Sequence, residues 1–216
     1  MDATEDKRRR AQAYLARLGG QDLRFTGISG SVSYEAQPDD DIDIFLIAQD
    51  HHLWRILGRA LLLRRLHGDS GICLSLSVDA HYARELFRGP GDYLMAADSV
   101  HVVPFHGEDY YRALLDSSPF VRTHFPERCN GSTLPPESTG REHDSPIEYL
   151  VFFLLAPYLW ARSMVENRRL TRSEGPGRGF RAVLSMHCYY LDTAKYHALR
   201  ERYRASPPTP GSVART

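Results

Sequence analysis

A chain of 216 residues is long enough for one large domain or two small ones and can bury a substantial core. Its 27 Lys+Arg balance 27 Asp+Glu, so there is no net field toward nucleic acid or an anionic membrane, and only local basic patches remain for such contacts. Hydrophobic residues at 42% and charged residues at 25% exclude a disordered or fibrous chain.

The start, MDATEDKRRR, leads into no apolar segment, so no secretory signal is expected. Thr4 to Leu18 reads as a helix, with Thr4 as N-cap, an apolar stripe of Ala11, Tyr14, Leu15 and Leu18, and Gly19-Gly20 as the stop. A short strand is expected over Leu23–Ile28, and then a Gly/Ser turn over Ser29–Ala36 leading into a short helix or loop. Ile42–Ala48 (IDIFLIA), rich in β-branched and aromatic residues, predicts a buried strand. After it come a helix over Leu53–Leu66, a strand over Gly71–Val78, a short helix over Ala80–Phe87, a strand over Val100–Val103 and a helix over Glu108–Leu115.

From Cys129 to Ser145 the composition shifts to Asn, Gly, Ser, Thr and Pro, the mark of a linker or long surface loop. Two helical stretches follow, Pro146–Asn167 and Phe180–Tyr203, separated by SEGPGRG, and the tail after Ala205 is expected to be disordered. The apolar run Tyr149–Trp160 is bounded by Glu148 and Arg162 and falls short of the roughly 20 residues of a membrane span. Strands alternating with helices indicate an α+β fold, a small mixed sheet flanked by helices and followed by a C-terminal helical region. The expected division is 1–127 with its N-terminal helix, a linker at 128–145, a helical region at 146–204 and the tail at 205–216. Cys73, Cys129 and Cys188 are far apart and odd in number, neither a disulfide framework nor a C-x-x-C pair, which suits a reducing cytoplasm.

The segment that carries chemistry is FTGISGSVSYEAQPDDDIDIFLIA, Phe25 to Ala48. Gly30-Ser31 follows a strand, where glycine lets backbone amides approach an anion and the serine hydroxyl adds a donor. Ten residues after Ser31 come Asp41, Ile42 and Asp43. Alternate strand residues share a face, so Asp41 and Asp43 project together while Ile42 and Ile44 turn to the buried side. Two neighbouring carboxylates repel unless a cation sits between them, and Mg²⁺ takes one or two carboxylates together with substrate phosphate oxygens.

Gly-Ser, a spacer of about ten residues and Asp-x-Asp leading into apolar residues resembles the signature of the DNA polymerase beta-like nucleotidyltransferase superfamily. Weaker likeness extends through Trp54, ICLSLSVDA, AADSVHVVPF and the helices near the C-terminus. Glu35 stands where many members have glycine. The resemblance implies a nucleotide, such as ATP, bound at Gly30 and Ser31, with two Mg²⁺ ions (Mn²⁺ as a substitute) held by Asp41 and Asp43. It also implies transfer of a nucleoside monophosphate to a hydroxyl or phosphate acceptor, which is a small molecule, a protein or, less favoured by the charge balance, an RNA end. Members carry a third carboxylate on a neighbouring strand, and Asp79 is the candidate; its alternative reading is the N-cap of the helix beginning at Ala80. A non-catalytic nucleotide-binding regulatory module and a toxin–antitoxin-type transferase stay open beside the enzyme reading. Neither the acceptor nor the oligomeric state follows from the sequence.

Other chemistries find less support. The Asp-x-Asp start lacks the glycine and distal glutamate of a calcium loop, and SEGPGRG lacks the Lys-Ser/Thr ending of a P-loop. The ten histidines show no metal-ligand spacing. GISGS departs from the G-x-S-x-G of a serine hydrolase. Tyr189 and Tyr190, with Arg200, Arg202 and Arg204, read as part of a solvated amphipathic helix.

Overall fold

A run as apolar as IDIFLIA needs cover on both faces. The computed structural model, which describes residues 3–30, 33, 41–69, 71–135, 145–175, 177 and 179–205, supplies it with two helical layers. In chain order the elements are α1 (Ala3–Leu18), β1 (Leu23–Ser29), β2 (Ile42–Ala48), α2 (Leu53–His67), β3 (Ile72–Asp79), α3 (Ala80–Arg88), α4 (Tyr93–Val100) and β4 (Val103–His106). They continue with α5 (Glu108–Ser117), α6 (Pro119–His124), a 3₁₀ turn (Pro126–Arg128), α7 (Pro146–Glu174), β5 (Phe180–Leu184), β6 (Cys188–Thr193) and α8 (Ala194–Ala205). The fold is α+β, with a six-stranded mixed sheet in the order β4-β1-β2-β3-β6-β5 flanked by helices. Only β2 and β3 run parallel; the other neighbours are antiparallel.

Side-chain alternation along β2 sorts the core into two. Ile42, Ile44, Leu46 and Ala48 join α1, α2 and Leu159 of α7 in one cluster, centred on the fully buried Trp54. Phe45 and Ile47 join Phe25, Phe87, Tyr111 and Phe120 on the other face, where Phe25 stacks on Tyr111 with ring centroids 4.2 Å apart. The odd-numbered positions of β2, Asp43 among them, therefore belong to the side of α3 to α6.

Three expectations need correcting. Phe180–Tyr203 is not one helix: β5 and β6 form a hairpin, and only Ala194–Ala205 is helical. The hairpin reaches back to extend the sheet, with Leu76, Ser77 and Val78 of β3 opposite Tyr190, Tyr189 and Cys188 of β6. The region 146–204 is therefore not purely helical, and the 128–145 segment does not separate it from the sheet. The strand expected at Val100–Val103 forms at Val103–His106, because α4, capped by Asp92, occupies the residues up to Val100. α6, capped by Ser118 with Pro119 in its first turn, was also not expected. Residues 136–144 of the expected linker and the tail from 206 lie outside the described residues.

Gly107 starts α5 at φ +71°, and a Cβ there would lie on the carbonyl oxygen of Arg24. Gly107→Ala therefore combines left-handed strain with a backbone clash. It is expected to cost at least about 2 kcal/mol in urea denaturation.

Candidate active site

β1 and β2 pair so that Ser29 lies opposite Asp43, which brings the residue after the strand, Gly30, against the Asp43 side chain. Gly30 adopts φ +68°. A Cβ built on it would run into the Asp43 carboxylate, with Asp43 Cγ at 3.2 Å and Cβ at 3.3 Å. Only glycine leaves this space, which fits a site where a carboxylate and a backbone bend must close on one ligand. The bend is held by Ser33, whose amide and hydroxyl both donate to the Gly30 carbonyl, at 3.1 and 2.6 Å. Asp43 is half-buried, and Asp41, one strand-step earlier, is exposed. Ser31, Glu35, Asp39 and Asp40 lie outside the described residues.

The parallel register sets Asp43 beside Cys73 and Ile42 beside Ile72. Burial raises the Cys73 thiol to about 12, and the charges of Asp43, Asp41 and Glu166 add to the rise while Arg64 opposes it. Burial and the neighbouring carboxylates thus favour the neutral thiol at Cys73. The same interactions locate two charges that the sequence reading missed. Arg64, in the last turn of α2, donates from Nη1 to the carbonyl of Ile72 at 3.0 Å, which holds a guanidinium near the start of β3. Glu166, on the exposed side of α7, pairs with Arg162 at 3.6 Å. Neither lies near Asp41 in sequence, and no motif marks them; only the packing of α2 and α7 over the sheet brings them within electrostatic range of Cys73.

Asp79 does not join this group. It pairs in register with Ala48, five residues along β2 from Asp43, about 16 Å at the strand rise. Its carboxylate is buried and caps α3, with Oδ1 accepting from the Tyr82 amide at 2.8 Å and Oδ2 held by His187 Nδ1 at 2.6 Å. The helix-cap reading therefore replaces the metal-ligand one: one strand-length is far beyond the reach of a shared metal ion. At the register position beside Asp43, the neighbouring strand offers a cysteine instead of an acid. Among the described residues no three His, Cys, Asp or Glu side chains gather as a metal-holding group. Asp41 and Asp43 fit a hard cation that completes its shell with phosphate oxygens and water, as Mg²⁺ does.

Burial raises the Asp79 carboxyl, against the lowering effects of the Tyr82 amide and His187. A folded pKa above the unfolded value means that the native state holds its proton more tightly. The Asp79 contribution is fully present below about pH 4 and is lost as pH rises through the folded value. Asp79→Asn is expected to flatten that decline in denaturant melts taken from pH 4 upward. It should leave any catalytic rate per folded molecule within about threefold of wild type, because the residue sits so far from Asp43.

Comparison with known proteins finds no matching family model, curated protein or solved structure. Among the described residues no helix is long and apolar enough to cross a membrane.

Proposed function

We propose that the chain is a metal-dependent nucleotidyltransferase that moves a nucleoside monophosphate from a nucleoside triphosphate to a hydroxyl or phosphate acceptor. The observation that carries this reading is the contact between the Gly30 bend and the Asp43 carboxylate, with Asp41 one strand-step away. In the reaction an acceptor oxygen bonds to the α-phosphorus, the bond from that phosphorus to the bridging oxygen breaks, and pyrophosphate leaves as the acceptor proton passes to water or a nearby base. Divalent cations, when bound, supply stabilisation of charge on the attacking and leaving oxygens. The residues bind and orient: Gly30 keeps the backbone low enough for phosphate approach, and Asp41 and Asp43 face the cations. Among the described residues no third acid joins the pair.

A nucleotide-binding module without turnover is the second reading, favoured by the distance of Asp79 from Asp43. The two separate in one experiment: incubation with each labelled nucleoside triphosphate and Mg²⁺ or Mn²⁺ against a panel of metabolites, proteins and tRNA. Pyrophosphate release coupled to labelled acceptor supports transfer. Metal-dependent nucleotide retention without release supports the module.

A further inference from the structure

The outer face of α7 is apolar for most of its first five turns. Ile147, Leu150, Phe153, Leu154, Tyr158 and Trp160 are each exposed over more than half of their surface, and no residue from Tyr149 to Ala161 is charged. On α2, which packs beside α7, Leu62 and Leu66 are 56% and 69% exposed and widen the same face. With Tyr149 and Val165 this makes ten large side chains, on the order of 1,000 Å² of apolar surface at about 100 Å² each. That exceeds the largest patch of an ordinary monomer, about 300–600 Å², and matches the roughly 800 Å² that each partner gives to a stable interface.

We propose that this face of α7 and α2 is the self-association surface of a two-fold homodimer. Three observations select a second copy as its occupant. The central stretch is uncharged, so it offers no complement to a charged partner, and its composition is that of a permanent homodimer interface. Ile147, Leu150, Leu154, Tyr158, Ala161 and Val165 recur every three or four residues, so the stripe is self-complementary about its midpoint near Ala156. Antiparallel pairing about a two-fold axis there sets Ile147 of one copy level with Val165 of the other. The segments outside the described residues offer little cover: prolines aside, 136–144 and 206–216 contain only Val213 and Ala214 as apolar side chains, and 31–40 adds only Val32, Tyr34 and Ala36. Charge returns at Arg162, Glu166 and Arg169, along the C-terminal edge of the seam.

Sedimentation velocity at about 10 µM, a concentration suited to an interface of this size, is expected to give twice the 24.6 kDa chain mass. Leu154→Glu places two carboxylates close to the axis and should raise the dissociation constant at least about 100-fold. Leu154 is already 66% exposed in the single chain, so its far-ultraviolet circular dichroism should not change. Arg88→Glu, at the exposed last residue of α3, should leave the dimer intact. If Leu154→Glu precipitates, Leu154→Cys in the otherwise native chain tests the same contact: a short bis-maleimide should yield a covalent dimer absent from wild type. A monomeric wild type overturns the proposal, as does a Leu154→Glu dimer or a Leu154→Cys chain that stays uncross-linked. Binding of monomeric wild type to phosphatidylcholine or phosphatidylserine vesicles also overturns it and assigns the face to a lipid surface. None of these outcomes depends on the nucleotide reading.

Discussion

Replacing both Asp41 and Asp43 with asparagine is expected to lower pyrophosphate release by about 1,000-fold or more, an effect of roughly 4 kcal/mol on the barrier. The size follows from the number of cation ligands removed. The described part of the chain gathers no other group of acids, histidines and cysteines that could take over the cations. Asparagine keeps the shape of each side chain and removes the charge, so the change falls on the metal and not on the packing. Each single substitution should cost most of the activity, since the ligands act as a unit and their losses do not add. The measurement is initial-rate pyrophosphate release, with melting temperature as the control for folding.

Glu148→Ala is expected to be the most damaging change away from the site, costing about 3 kcal/mol and lowering the melting temperature by roughly 10 °C. Glu148 comes from the first turn of α7 but completes the first turn of α2. Its Oε1 accepts from the Trp54 amide at 2.5 Å, and its Oε2 accepts from the Arg55 amide at 3.2 Å, with Arg55 Nε 3.4 Å away. His52, the residue before α2, makes no side-chain cap of its own, so Glu148 satisfies helix-start amides that otherwise stay orphaned. At 1% exposure no water can replace it, and the penalty of unpaired buried donors falls in full. Burial raises its carboxyl, against the lowering effects of the Trp54 and Arg55 amides and of Arg55 itself. Glu148→Gln, which retains one acceptor oxygen, should therefore lose much less than Glu148→Ala, and the comparison checks the capping account directly.

How much of this was legible in the sequence follows from where the information lies. β2 forms over the expected residues because Ile42 to Ala48 is apolar on both faces with no breaker, and α2 and α3 depart from expectation by a residue at their ends. α7 continues through Pro157 to Glu174, longer than expected: Pro157 lies on the exposed side, so the room its ring needs against the preceding turn is not taken from the core. The hairpin of β5 and β6 was hidden because its turn, Ser185-Met186-His187, contains neither glycine nor proline. Its strand form depends on pairing with β3, more than a hundred residues away, and tertiary pairing overrides local pattern there. The sequence left Asp79 open between a third carboxylate and the N-cap of the helix at Ala80, and the fold decides for the cap. Strand alternation gives the face of a residue, but only the register with β2 says how far along the strand it stands. The contact of Gly30 with Asp43 was the opposite case, since a short spacer between adjacent strands brings sequence order close to spatial order.

The most direct test of the central claim is calorimetric titration of a non-hydrolysable nucleoside triphosphate analogue, with and without Mg²⁺, into wild type and the Asp41→Asn, Asp43→Asn double variant. The account predicts tight binding by wild type only when the divalent ion is present, and a loss of at least about tenfold in affinity for the variant. Equal affinity of the two proteins, or binding by wild type that ignores the metal, would contradict it.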